Sequence, residues 1–403
     1  IRSPRPPSDP MTQAEVPSDE ERKHWKHLYE EVVATEICVG CSACVVACPH
    51  HVIEMQSFRP VMLEEELGPF NCTHGETGCS LCAMACLRLD PDYDAMEALL
   101  FGRRRRHPSE PWGIAKALWL ARAKSQDELG KGQDGGVVTA LMAWMLEKGQ
   151  VQGVCVSKPK QDTPWLDEPF LATNREELLS AAGSRYTYCS TPLALKDAAA
   201  KKLKSVAVVG VSCESTAIRE MGVEGIKRWS RMVKFVAGLM CNETFQYEPF
   251  ILQIVQGKYA IPLDRIEKIN VKGDVHVTLD DDSIVIIPLE ECKPFANEWC
   301  HHCPDFAAEH ADISFGGLGM TGWTMCIIRT EEGERVWQEA LNDGVIETRP
   351  AEDEPKALKV LDALSKKQRR RVGPMESHAA GRWSSKETLK RVRQEYIASL
   401  EQQ

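Results

Sequence analysis

The chain has 403 residues, 43% of them hydrophobic and 27% charged, with a formal net charge of −10. That length has room for two or three domains of about 150 residues, in the composition of an ordinary globular protein. The acidic balance argues against nucleic acid, whose phosphates it would repel, and no apolar run approaches the roughly 18 residues of a membrane span.

The sequence begins at Ile1, and Met11 is the expected natural start. Nothing near it has the charged, apolar and small-residue layout of an export signal. Residues 1–30 therefore read as a leader, disordered or helical, and a cytoplasmic location is expected. In a reducing compartment, sixteen cysteines are too many for disulfides and point to ligands or catalysts.

The run CVGCSACVVACP places Cys38, Cys41, Cys44 and Cys48 before Pro49. This is the bacterial ferredoxin spacing C-x2-C-x2-C-x3-C-P, whose thiolates close around an iron-sulfur cube. Zinc sites separate their CxxC pairs by a longer loop. A second, stretched run follows with Cys72, Cys79, Cys82 and Cys86. In two-cluster ferredoxins the fourth cysteine of each run ligates the other cluster. That rule groups Cys38, Cys41 and Cys44 with Cys86, and Cys72, Cys79 and Cys82 with Cys48. His74 inside the stretched run reads as a solvent-exposed loop histidine rather than a ligand.

Four arginines, Arg103 to Arg106, followed by Pro108 and Pro111, suggest an interdomain linker over about 93–125. Such a run is either a solvated linker or a dock for an acidic redox partner. Gly130, Gly132, Gly135 and Gly136 then open into a helical pattern from Val137 to Lys148, and amides at such a terminus attract phosphate. It is not the GxGxxG of a dinucleotide fold. Apolar β-type runs at 151–157, 205–210 and 233–241 alternate with helical patterns, one opened by a Thr173/Glu176 capping box. Val275 to Leu289 alternates around an Asp-rich turn and reads as a hairpin. The tail is charged and helical, with Arg369, Arg370 and Arg371 in succession, and shows no chemistry.

The expected architecture is thus an α+β ferredoxin-like domain with two [4Fe-4S] clusters (31–92) and the linker (93–125). An α/β domain with a mainly parallel mixed sheet (126–348) and a helical C-terminal tail (349–403) complete it.

Eight more cysteines lie in the second half. Cys213 and Cys241 follow β-type runs, at the strand ends where open α/β sheets place ligands, and Cys300 and Cys303 form a CxxC. These four would hold a third cluster. Zinc on Cys292, Cys300, Cys303 and one histidine of the adjoining pair is the rival. Cys155, Cys189 and Cys326 read as inert core thiols.

In order along the chain come GGVVTALMAWMLEKG, AGSRY, VAVVGVSC, GLMC, CHHCPDFAAEHADISFGGLG and GWTMCIIRTEEGE. Together, over roughly 125–340, they resemble the family of beta subunits of coenzyme F420-reducing hydrogenases and dehydrogenases. The ferredoxin run ahead of them matches the layout of F420H2 dehydrogenase input subunits. The resemblance implies an oxidoreductase that binds FAD, exchanges hydride with coenzyme F420 and carries a [4Fe-4S] cluster on Cys213, Cys241, Cys300 and Cys303. Flavin contacts are expected from Gly135, Gly136, Ser184, Arg185 and Tyr186. Two departures stand out: Asp134 where a serine is expected, and Arg185 for lysine. Asp134 is expected to orient a backbone amide or point outward, and Arg185 to offer phosphate or carboxylate its bidentate fork. Lys158, Lys160, Lys201, Lys202 and Lys204 read as solvated surface rather than a dock for the acidic deazaflavin tail.

The expected partner is a redox protein, a larger complex or ferredoxin, with peripheral membrane association left open. A ferredoxin-dependent reductase of a small organic molecule, like hydroxymethyl chlorophyll reductase, and a non-catalytic electron-transfer subunit are the alternative functions.

Overall fold

The computed structural model describes residues 22–63, 68, 70–89, 91–106 and 109–372. Most of the leader, with Met11, and the tail beyond residue 372 lie outside the described residues. The end of the expected leader does not stand apart: the short helix Trp25–Leu28 buries Trp25 and Leu28 against Ile37, Val45, Ile53 and Leu89. Around them fold the helix Ala43–Ala47, the antiparallel hairpin of β1 (Ile53–Gln56) and β2 (Arg59–Met62), and the helices Thr73–Glu76 and Leu81–Met84. Elements this short bury little apolar area by themselves, and small domains of this kind usually rely on a staple such as a metal centre.

The expected linker is structured instead. Asp92 caps a helix, Tyr93–Phe101, by accepting from the Ala95 amide at 2.8 Å, and Gly102 ends it in the left-handed conformation. Arg105, 7% exposed, is buried between Glu97 and Glu309. Residues Ala117–Ala123 are β3, the strand next to one edge of the main sheet. The arginine run misleads because one of its members, Arg105, is neutralised by the buried carboxylates Glu97 and Glu309, while Arg104 and Arg106 face water.

The remaining strands are β4 (Gly153–Pro159), β5 (Asp167–Ala172), β6 (Val206–Val211), β7 (Val233–Leu239), β8 (Ile266–Lys272), β9 (Asp274–Leu279), β10 (Ile284–Ile287), β11 (Ile313–Gly316), β12 (Thr324–Ile328) and β13 (Ile346–Pro350). Eight form one sheet in the order β13-β3-β12-β11-β7-β6-β4-β5. Its centre is parallel, where β11, β7, β6 and β4 adjoin, but the pairs on both flanks are antiparallel. The sheet is mixed rather than mainly parallel, because antiparallel strands can join without a helical crossover.

Side chains alternate between its two faces. Val154, Val156, Ala207, Phe235 and Ala237 face the helices Val137–Glu147 and Glu331–Asn342. Cys155, Val206, Val208 and Val236 face the helices Ala194–Ala200 and Ser212–Val223 and also Val39, Ala43, Val46, Ala85 and Leu87 of the ferredoxin domain. One apolar core therefore joins the two domains.

The expected hairpin is present as β9 and β10, with β8 as a third strand. The capping box falls one residue later than expected: Asn174 accepts from the Glu177 amide at 2.9 Å, and the Glu177 carboxylate takes the Thr173 amide at 2.7 Å. The helix Pro355–Arg369 lays Ala357 and Leu361 against the apolar groups beside β3 and β12. Among the described residues, no helix is long and apolar enough to cross a membrane.

Candidate redox site

Cys38, Cys41, Cys44 and Cys86 line one small cavity, together with Val39 and Arg88. Ser42, in the left-handed conformation, turns the chain so that the helix Ala43–Ala47 starts on this cavity. Burial pushes all four thiols up, Cys86 to about 12; Cys38 raises Cys41, Cys44 and Cys86 further, and Cys86 in turn raises Cys41 and Cys44. Four thiolates would be stable here only around a cationic core, which an iron-sulfur cube supplies. Cys82 feels burial first and then Cys48, Cys79 and Cys72, so the second crossover set is also gathered. His74 is half-buried rather than exposed, its ring stacked 3.5 Å from that of His50.

A third set comes from distant segments. Val211 of β6 is paired with Leu239 of β7, and Cys213 and Cys241 each follow two residues beyond that pair. Cys300 and Cys303 enter on the turn Glu298–His302. The chain after them passes close over β7, because a Cβ on Gly238 would lie 2.6 Å from those of Ala308 and Ala311. The four cysteines line one small cavity with Val39, Tyr188, Trp299 and Gln368. Tyr188 Oη is 3.7 Å from Cys213 Sγ, and Thr244 Oγ1 is 3.6 Å from Cys300 Sγ.

The zinc set is not assembled, since Cys292 packs instead with Phe250, Ile254 and Ile287. Among the described residues, no three His, Cys, Asp or Glu side chains lie close enough to hold a single ion. A polynuclear cube spreads its thiolates farther apart than one zinc at about 2.3 Å from each sulfur.

Beside the third set opens a cavity of about 660 Å³, within the range of cofactor sites. Gly136, Ser184, Arg185 and Tyr186 line it, whereas Gly135 is not among its lining residues and donates its N–H to Thr324 Oγ1 at 3.2 Å. Arg185 does not hold its fork free: it is paired with buried Asp167 and donates to the carbonyls of Ala181 and Ala182. Tyr186 Oη accepts from the Val271 amide at 3.2 Å. Asp134, φ 47°, turns into the cavity and pairs with Lys272 at 3.2 Å, rather than orienting an amide or pointing outward.

Lys272 of β8 carries no sequence signal, because only the hairpin after it reads as sheet. Lys158, Lys160, Lys201, Lys202 and Lys204 do not line the cavity, but Cys189, expected in the core, does. Cys155 and Cys326 are fully buried in the apolar core, as expected.

The three cavities adjoin. Tyr188, Val211, Cys241, Asn242 and Thr244 line both the large cavity and the third cysteine site. Val39 lines both the third and the first. A Cβ on Gly40 would meet the Phe58 carbonyl at 2.9 Å and the Tyr188 ring at 3.1 Å, so the ferredoxin loop abuts the second domain directly.

Residues 118–196 and 203–354 match the N-terminal and C-terminal parts of the coenzyme F420 hydrogenase/dehydrogenase beta subunit, and residues 37–88 match a 4Fe-4S dicluster domain. The chain belongs to this family of beta subunits.

Among family members, the coenzyme F420 hydrogenase subunit beta of Methanosarcina barkeri is 35% identical over 61% of this chain and 86% of its own length. An F420H2 dehydrogenase subunit of Methanosarcina mazei is 27% identical over 76% of this chain and 82% of its own. A solved chain from the F420-reducing [NiFe] hydrogenase complex of M. barkeri superposes with a TM-score of 0.62 at 32% identity, covering 66% of this chain and 91% of that one. Membership in the family, with the 4Fe-4S domain ahead of it, makes the chain an oxidoreductase subunit that handles electrons.

Proposed function

We propose that the protein is an iron-sulfur flavoprotein subunit, acting in the cytoplasm, that exchanges hydride between coenzyme F420 and FAD and relays electrons singly to or from a partner. FAD would occupy the 660 Å³ cavity, with Gly136, Ser184 and Tyr186 at its wall and the first turn of the helix Val137–Glu147 turned toward its phosphates. Arg185 would shape this wall through Asp167 rather than contact the cofactor directly. Bound flavin takes two electrons as hydride and releases them one at a time, which matches the one-electron steps of a cube.

The observation that carries the proposal is the shared walls: the large cavity borders the third cysteine site, and that site borders the first. The relay would run from the cavity to Cys213, Cys241, Cys300 and Cys303, then to Cys38, Cys41, Cys44 and Cys86, and out through Cys48, Cys72, Cys79 and Cys82. A partner protein would stand at the far end: a hydrogenase or dehydrogenase, as the names of the relatives suggest, or a ferredoxin.

The test is anaerobic purification with iron and flavin counts, followed by titration with reduced deazaflavin. About twelve irons and one flavin per chain, with the flavin absorbance bleached by the titrant, is the expected result. A flavin-free protein, or flavin bleached only by reduced ferredoxin, would refute the hydride step.

A further inference from the structure

Arg88 is 1% exposed and follows Cys86 by two residues at the end of the ferredoxin domain. It lines the cavity of Cys38, Cys41, Cys44 and Cys86. From there its Nη1 crosses the domain boundary and donates at 2.9 Å to the carbonyl of His302, the residue before Cys303 on the third site's loop. Burial leads at each of these thiols, and Arg59 acts on Cys38 ahead of Arg88, but the Arg88 charge reaches both Cys38 and Cys86 on one side and Cys303 on the other. The interactions that dominate at Cys82 of the second set are burial and Cys48, Cys79 and Cys72. One buried guanidinium thus stands between two of the three cysteine sites.

We propose that Arg88 raises the reduction potentials of the first and third clusters together, as a shared electrostatic anchor that leaves the second cluster unaffected. This rests on the cluster assignment above. Reduction adds one electron and hence one negative charge to a cube, and a fixed cation in a dry site favours the reduced form. Because the same guanidinium faces both sites, it shifts both potentials in the same direction, leaving the step between them nearly unchanged and setting the pair relative to the second cluster. Arg88 is a positioning residue, touching no substrate.

The test uses the full chain, purified without oxygen, in a potentiometric titration with dithionite followed by electron paramagnetic resonance. Cys213→Ser and Cys82→Ser variants assign the signals. Arg88→Gln is expected to lower the reduced-to-oxidised ratio of the first and third clusters about tenfold at fixed potential, a shift of about 59 mV for one electron. The second cluster should titrate as in the wild type. Arg88→Lys keeps the charge and should leave both potentials near the wild-type values.

A shift at one site alone, equal shifts at all three, or no shift with full iron content would overturn the proposal. Should Arg88→Gln fail to accumulate, Arg88→Lys decides: lowered potentials in that variant refute the role of charge. A wild type with fewer than three clusters sinks the cluster assignment and this proposal with it, whereas three clusters with unmoved potentials sink this proposal alone.

Discussion

In the ferredoxin half, Cys38, Cys41 and Cys44 reach one cavity because a single turn and the helix behind it present them in succession, and only Cys86 arrives from farther along the chain. In the α/β half, Cys213, Cys241 and the Cys300/Cys303 pair come from three separate segments, brought together by two parallel strands that end level with each other. The first kind of site is written in local spacing. The second exists only once the sheet has formed, whereas in the first only Cys86 must be brought in by tertiary contacts.

The most severe way to break this comparison is Cys213→Ala. The variant is expected to fall from about twelve irons to about eight, with the ferredoxin signals retained and electron passage from the flavin cavity to an external one-electron acceptor reduced to background. Unchanged iron content and unchanged throughput would remove Cys213 from the ligand set.

Next is the buried ion cluster that joins the two halves. Glu97 and Arg105 come from the segment that follows the ferredoxin domain, Glu309 from the α/β domain and Arg369 from the tail helix. Burial alone would raise the Glu309 carboxyl, but Arg105 and Arg369 outweigh it and hold it at about 2. Glu309→Gln removes the carboxylate that Arg105 and Arg369 share, leaving Arg105 with Glu97 alone and Arg369 with the Pro111 carbonyl, and is expected to cost about 3–5 kcal/mol in chemical denaturation. Because the folded pKa is depressed, this stabilisation is present above about 4.5 and is lost as pH falls through about 2. The wild type should therefore lose stability on acidification below about pH 5 more steeply than the variant. Parallel slopes would show that Glu309 does not carry this charge balance.

The tail separates the halves more finely. Gln368 donates to the Cys241 carbonyl at 3.2 Å, and Arg371 donates to those of Asn242 at 2.7 Å and Cys300 at 2.8 Å. These bonds hold the backbone of the third site and touch neither ferredoxin set. Arg371→Gln and Gln368→Leu are expected to speed loss of the third site's iron to a chelator by about 10- to 100-fold while the other sites keep theirs. Equal losses from all sites would mean that the tail acts on general stability.

The same division explains how much of the molecule is legible in its sequence. Cysteine spacing marks the ferredoxin sets because three of the four ligands in each lie close together along the chain. Cys213, Cys241, Cys300 and Cys303 are legible as candidates because strand ends and a CxxC mark themselves, but their convergence needs the β6/β7 register. Strand direction has no local signature, so the antiparallel flanks read as parallel. β3 is hidden behind an arginine run in which Arg105 pairs with Glu309, 204 residues away. The roles of Arg88, Gln368 and Arg371 are illegible for the same reason, since each bonds to a carbonyl more than 70 residues distant.

The smallest expected effect concerns the cavity rather than the cysteines. Asp134 is held beside the helix Val137–Glu147, where an anionic cofactor would meet its carboxylate, and Lys272 offsets that charge at 3.2 Å. Asp134→Ser removes the repulsion and releases Lys272, which keeps its 2.7 Å bond to the Met320 carbonyl and so stays at the wall. Against this, serine tolerates the left-handed conformation at φ 47° less well than aspartate, which recovers part of the cost. The net expectation is flavin binding tighter by about 0.5–1 kcal/mol, roughly two- to fivefold in Kd by fluorescence titration, with iron content unchanged at every site. Weaker binding would mean that Asp134 serves the cofactor by holding Lys272 in place, and the carboxylate would then be part of the site rather than a tolerated departure from the family pattern.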